Sequence, residues 1–217
     1  MLIEAYVASP EQARAAEAEG AGRIELCGPG DGGLTPSVAD MRETLATVHL
    51  PVHVMVRPRE GDFVYTDAEF ALMRASVLDA KAAGAHGIVF GMLQADHTFD
   101  IPRMRELIAL ARPMRIAIHR AFDGCPDADA GLDTLIELGA DVILTAGHAP
   151  TALEGVATLR RLVTRAAGRV VLLAGGSVRG WNVHEILAAS DVPEVHARAT
   201  IPGIIAGLAA ALRDQPR

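Results

Sequence analysis

Ionisable and sulfur-bearing side chains sit at the ends of short apolar runs in this chain. Glu25 and Cys27 close Arg23-Ile-Glu-Leu-Cys27; His53, Met55 and Arg57 alternate through Pro51-Val-His-Val-Met-Val-Arg57; His119 follows Arg115-Ile-Ala-Ile and leads into Arg120-Ala-Phe-Asp123. Carboxyl and imidazole groups gathered on one face can exchange protons with a bound molecule, which makes Glu25, His53, His119 and Asp123 the candidate catalytic groups. Guanidinium groups clamp carboxylates and phosphates through paired hydrogen bonds, so Arg57, Arg59 and Arg120 are the candidates for holding an anion; solvated surface arginines are the plainer alternative. A further anion element lies in Ala174-Gly-Gly-Ser-Val178. There the backbone N–H groups of Gly175, Gly176 and Ser177 would cradle an oxyanion and Arg198 would add a charge, although a tight turn accounts for the same glycines.

These residues act together only if one architecture gathers them. Three segments, 19–26, 83–90 and 138–145, share a helix end, a glycine turn and a short apolar run. Glycine at a helix C-terminus takes the left-handed conformation that stops the helix, so each segment reads as a passage from helix into strand. Extending the pattern predicts strands at 2–6, 23–27, 52–56, 87–90, 115–119, 141–145, 170–174 and 194–197. Helices are predicted at 10–19, 37–47, 67–83, 101–111, 129–138, 151–166, 181–189 and 201–213, with Pro10, Pro36, Pro102 and Pro202 in their first turns. Eight β-then-α units in 217 residues suit a single TIM-type (β/α)8 barrel over residues 1–217. An open doubly wound sheet is the main alternative, and no Gly-x-Gly-x-x-Gly follows the first strand to support it.

Alternation along the strands sets which side chains point inward. Ile3 and Ala5 face the helices, leaving Glu4 and Tyr6 inside; Ile24 and Leu26 leave Glu25 and Cys27; Val52, Val54 and Val56 leave His53, Met55 and Arg57. By the same phase Ala117 and His119, then Glu194, His196 and Arg198, point inward. A purely structural barrel fills its interior with Val, Ile and Leu, because burying an unpaired ion costs several kcal/mol. The alternative is a satisfied supporting network of Glu4, Glu25, His53 and His119. His49, His86 and His184 fall on helices or loops away from the strand ends. The single lysine, Lys81, lies within a predicted helix, which excludes a Schiff-base aldolase. No close His–Glu pair in sequence points to catalytic zinc or iron.

Composition narrows the partners. With 50% hydrophobic but only 4% aromatic residues the core must be aliphatic, and a net charge of −7 leaves no broad basic face for nucleic acid or an anionic membrane. The N-terminus shows neither a basic start nor an apolar run of signal length, so a cytoplasmic protein is expected. Cys27 and Cys125 are too far apart to suggest a metal clip, and are expected to be reduced thiols on opposite sides of the barrel. Apolar positions on the outer helices, Ile201 to Leu212 among them, suit either the barrel wall or a homodimer contact.

Glu25-Leu-Cys27, Gly32-Gly-Leu-Thr-Pro-Ser37, Pro51-Val-His53, Arg57-Pro-Arg59, Gly61-Asp-Phe63 and His119-Arg-Ala-Phe-Asp123 together resemble the CutC copper-homeostasis family. The resemblance continues in order through Leu144-Thr-Ala-Gly147, Ala174-Gly-Gly-Ser-Val178 and Glu194-Val-His196. It implies a cytoplasmic barrel tied to copper tolerance or trafficking, with copper binding among its implied properties. Copper(I) prefers thiolate, thioether and imidazole, so Cys27, His53 and Met55 form the candidate metal cluster; a small buried thiol beside a core-filling methionine is the alternative. The chain departs from the family pattern at Ala5-Tyr6, where similar proteins often carry a cysteine, and after the last strand, where His196-Ala-Arg-Ala-Thr200 replaces small hydroxyl residues and a longer tail. A second reading keeps the barrel as an enzyme performing acid–base chemistry on a small anionic or phosphorylated metabolite.

Overall fold

The computed structural model describes residues 1–30 and 32–214. Strands β1 (Leu2–Val7), β2 (Arg23–Leu26), β3 (Val52–Met55), β4 (Gly87–Phe90), β5 (Arg115–Ile118), β6 (Val142–Thr145), β7 (Val171–Ala174) and β8 (Glu194–Arg198) pair in parallel and in sequence order into a closed barrel. Helices α1 (Pro10–Glu19), α2 (Val38–Thr47), α3 (Asp67–Ala83), α4 (Ile101–Ala111), α5 (Ala128–Leu138), α6 (Val156–Ala166), α7 (Val183–Ser190) and α8 (Ile204–Arg213) follow their strands and form the outer ring. This is the expected (β/α)8 architecture.

Local chemistry sets the helix limits. Ser9, Ser37, Thr66, Asp100 and Asp127 each accept a backbone N–H from the first turn that follows, and Thr66 with Glu69 completes a reciprocal capping box. Gly20, Gly84 and Gly139 end α1, α3 and α5 at φ of 102°, 88° and 83°, the left-handed stop that the repeated glycine turn predicted.

Helices α6 and α8 start furthest from their expected positions. The segment from residue 151 forms a turn before α6, because Gly155 lies so close to the chain after β6 that a Cβ there would stand 1.8 Å from the Ala146 carbonyl oxygen. Before α8, Pro202 belongs to a turn closed by Gly203 at φ 80°, not to the helix's first turn. Pro36 likewise precedes the Ser37 cap and lies outside α2. A 3-10 turn over Arg120–Gly124 follows β5.

The faces alternate as the strand phase predicted. Ile24, Val54, Ile88, Ile116 and Ile143 join the core between barrel and helices, whereas Tyr6, Cys27, Met55, Val89, Leu144 and Leu173 form a separate cluster inside the barrel. The interior is split. Strands β4 to β7 supply Val89, Ala117, Val142 and Leu173, while β8, β1, β2 and β3, contiguous in the barrel, supply Glu194, His196, Glu4, Arg23, Glu25 and His53. One half is therefore an ordinary aliphatic filling and the other is a wall of charge.

Candidate functional site

The polar wall is built around Arg23, a buried cation that the sequence reading did not single out. Its side chain is 3% exposed and donates to Glu4 and, at 2.5 Å, to Glu194. Register places Glu4 opposite Arg23 on one side and His196 on the other. His196 Nδ1 lies 2.9 Å from Glu4 Oε1, and its Nε2 lies 3.8 Å from Glu25 Oε2. Burial alone would raise the Glu4 pKa, but the hydrogen bond from His196 and the Arg23 charge outweigh it and hold the carboxyl down at about 2. Burial also opposes a charged His196, yet Glu25 and Glu4 overcome it and raise the imidazole above its ordinary value.

Glu25 is the exception among these carboxyls. Burial pushes it up to about 7, against the lowering effect of His196 and with the repulsion of Glu4 added. Its Oε1 has no hydrogen-bond partner among the described residues. Cys27 Sγ lies 3.8 Å from Glu25 Oε2, and burial together with that carboxylate raises the thiol well above its usual range. Gly33, at φ 83°, closes over this pair: a Cβ there would stand 2.7 Å from Cys27 Sγ. The β2–β3 register, which sets Glu25 opposite His53 and Leu26 opposite Val54, continues to bring Cys27 level with Met55. His53 lies two residues deeper on β3, fully buried, with Nδ1 3.9 Å from Glu4 Oε2 and neither ring nitrogen hydrogen-bonded among the described residues. Burial lowers it to about 4, with the attraction of Glu4 only partly compensating.

His119 is held in one tautomer. Its Nδ1 accepts the N–H of Ala121 at 3.1 Å, so the neutral ring carries its proton on Nε2. Burial and the nearby Arg57 charge hold its pKa at about 3, and the ring packs 4.7 Å from Phe63. His119 is thus a neutral donor, and its Nε2 has no partner among the described residues.

The remaining candidates divide. Arg57 donates to the carbonyls of Gly33 and Gly61 and lies over Phe63, fastening the loops after β2 and β3 across the mouth of the barrel. Arg59 instead holds Glu69 at 2.6 Å and Asp62 at 2.8 Å, bracing the loop before α3. Asp123 accepts from the Thr145 hydroxyl and from the backbone N–H groups of Ala146 and His148. It also holds Arg120 at 2.7 Å, so it organises the loops after β5 and β6. Cys125 packs with the outer core near His148, away from Cys27 in the inner cluster.

These parts enclose a cleft of about 530 Å³ at the C-terminal ends of the strands. Glu25, His196 and Met55 form its inner surface, His119 and Arg57 one side, and Gly176, Ser177 and Arg198 the other. The Gly175 N–H is taken by the Thr145 carbonyl at 2.9 Å, which leaves Gly176 and Ser177 of the expected cradle; both have positive φ, 103° and 59°, in the turn before α7. Arg198 lies over the Tyr6 ring at 5.2 Å and makes no ion pair among the described residues. Arg120 and Arg179, the latter unanticipated, also line the cleft.

Three separate strands bring donor atoms of Glu4, Glu25 and His196 within 4.8 Å of one another, a grouping invisible to sequence spacing. Two carboxylates and one imidazole suit a hard divalent ion better than copper(I), and Arg23 already engages one Glu4 oxygen. The sulfur donors are Cys27 and Met55.

Fold and cleft together define a (β/α)8 barrel with a charged interior opening at the strand C-termini, the face on which barrels of this kind carry their sites. The chain belongs to the CutC family, whose profile matches residues 1–201. It is 44% identical over 199 residues to the Copper homeostasis protein cutC homolog of Mus musculus, covering 91% of this chain and 73% of that one. It is 42% identical over 200 residues to a family protein CutC of Parabacteroides distasonis, covering 91% and 82%. The crystal structure of a CutC copper homeostasis protein from Streptococcus agalactiae superposes with a TM-score of 0.86 at 29% identity, covering 92% of this chain and 98% of that one.

Proposed function

We propose that the protein serves copper homeostasis as a CutC-type barrel that takes up copper(I) within the barrel interior beneath this cleft, on the Cys27 thiolate and the Met55 thioether, with His53 as the third donor. The observation that carries the reading is the placement of Cys27 beside Glu25, 3.8 Å from sulfur to oxygen, in the same inner cluster as Met55. A thiol whose pKa is raised by burial holds its proton until a soft metal displaces it. Glu25, with a pKa of about 7 and an oxygen without a partner among the described residues, would receive that proton. Sulfur and imidazole match the preference of copper(I), and neither ring nitrogen of His53 is hydrogen-bonded among the described residues. Both cysteines are free thiols, which suits a reducing cytoplasm as the place of action.

An anaerobic competition titration against a copper(I) chelator tests the assignment. The expected result is stoichiometric binding by the protein and by Cys125→Ser, and a loss of affinity of at least about tenfold in Cys27→Ser combined with Met55→Leu, since one lost ligand contact of about 1.4 kcal/mol already gives that factor. Unchanged affinity in the double variant would contradict it.

A further inference from the structure

Two buried polar atoms in the cleft have no partner among the described residues: Oε1 of Glu25, a residue 2% exposed, and Nε2 of His119, a residue 5% exposed. Leaving such an atom unsatisfied costs about 1–3 kcal/mol, so a fold that keeps two of them in one cleft is arranged for a ligand that supplies both partners. Their chemical senses are complementary. The Ala121 N–H on Nδ1 makes His119 Nε2 a hydrogen-bond donor, and Glu25 can accept or give a proton. Across the same cleft the Gly176–Ser177 turn and Arg198 offer a concave backbone and a guanidinium without an ion pair among the described residues.

We propose that the cleft catalyses enolisation, a proton transfer at a carbon next to a carbonyl, in a small metabolite whose terminal oxyanion is held by Arg198 and the Gly176–Ser177 turn. The Glu25 carboxylate takes the proton from that carbon, the C–H electron pair becomes the new carbon–carbon double bond, and the carbonyl π pair moves onto oxygen. That oxygen accepts the hydrogen bond of His119 Nε2–H. Return of the proton from Glu25 to the same carbon, as the oxygen electron pair re-forms the carbonyl, completes the cycle with no oxidant and no second substrate.

A neutral imidazole is the better partner here. An imidazole whose other nitrogen is fixed by a backbone N–H stays neutral and polarises the carbonyl next to a carboxylate base, a division of labour known in barrel enzymes. His196, with Nε2 3.8 Å from Glu25 and Nδ1 on Glu4, is a positioning residue that orients the base toward the cleft.

The proposal stands apart from the copper reading and is tested on copper-free protein. Dihydroxyacetone phosphate and pyruvate, each in D2O, are followed by proton NMR for loss of their exchangeable C–H signals. The expected result is exchange of at least one probe about 100-fold or more faster with the protein than with Glu25→Gln, and a similar reduction in His119→Phe, each variant keeping a cooperative melting transition. Arg198→Ala is expected to raise the apparent KM with little change in kcat, and inorganic phosphate to compete. Exchange of the first probe alone assigns the oxyanion to a phosphate, and of the second alone to a carboxylate. Exchange no faster than in buffer for both probes, or equal in Glu25→Gln, overturns the proposal, as does anion binding without exchange.

Discussion

His196 Nδ1 lies 2.9 Å from Oε1 of Glu4, and that contact turns the other face of the ring toward Glu25. Glu4 therefore does two jobs: it neutralises Arg23 and it fixes the ring that faces the cleft. Removing one member of a buried ion pair leaves the other uncompensated and costs about 3–5 kcal/mol. Glu4→Gln is expected to lose about 3 kcal/mol in urea denaturation at pH 7, moderated by Glu194 on the same guanidinium. It should also lower the His196 pKa read by NMR. A loss under about 1 kcal/mol would show that Arg23 does not depend on Glu4.

Glu25 titrates at about 7 in the fold against about 4.5 when free, so the folded state holds its proton more tightly than the unfolded chain. Stability from this group is present below pH 4.5 and is lost as pH rises through 7; a shift of that size corresponds to about 3 kcal/mol. Glu25→Gln is expected to be more stable than the parent by up to about that amount at pH 8, with the advantage shrinking toward pH 5. Parallel stability curves for the two proteins would place the Glu25 carboxyl in a far more solvated setting.

His53 and His119 carry the opposite sign. Their pKa values of about 4 and 3 lie below the ordinary 6.5, so the unfolded chain binds protons that the folded chain excludes. Their contribution is present above pH 6.5 and is lost as pH falls toward 4, at up to about 1.4 kcal/mol per pH unit for each. Nitrogen NMR of His119 should report a neutral ring protonated on Nε2 down to pH 4. A His119 titration near 6.5 would contradict both its burial and its role as donor.

Gly33 closes over Cys27 at φ 83°, where an added Cβ would meet both Cys27 Sγ, at 2.7 Å, and Tyr6 Cε2, at 2.9 Å. Gly33→Ala is expected to displace the loop after β2, lower stability by about 1–3 kcal/mol and speed alkylation of Cys27. Cys125, in the outer core, should react at an unchanged rate. Equal alkylation of Cys27 in both proteins would mean that this loop does not cover the thiol.

The barrel was legible because its parts announce themselves locally. Gly20, Gly84 and Gly139 mark helix ends, and strict alternation through Pro51 to Arg57 fixes the inward face of β3. The late start of α6 was not legible, because it depends on Gly155 meeting Ala146 across a turn. Within the site, alternation named Glu25, Cys27, His119 and Arg198 correctly as inward groups. It could not tell that Arg59 turns to Glu69 or that Asp123 serves Thr145 and two backbone N–H groups, since both depend on loop conformation. Arg23 was overlooked because it opens its strand, where an arginine reads as surface; the signal was its alternation phase with Glu25. The grouping of Glu4, Glu25 and His196 needs barrel closure between β8 and β1, which no local pattern records.

X-ray absorption at the copper edge, on protein loaded anaerobically with one equivalent of copper(I), tests the central claim most directly. The expected spectrum shows a sulfur shell from Cys27 and Met55, retained in Cys125→Ser and lost in Cys27→Ser combined with Met55→Leu. A shell of nitrogen and oxygen alone, or a sulfur shell that survives in the double variant, would contradict copper(I) uptake at this cleft.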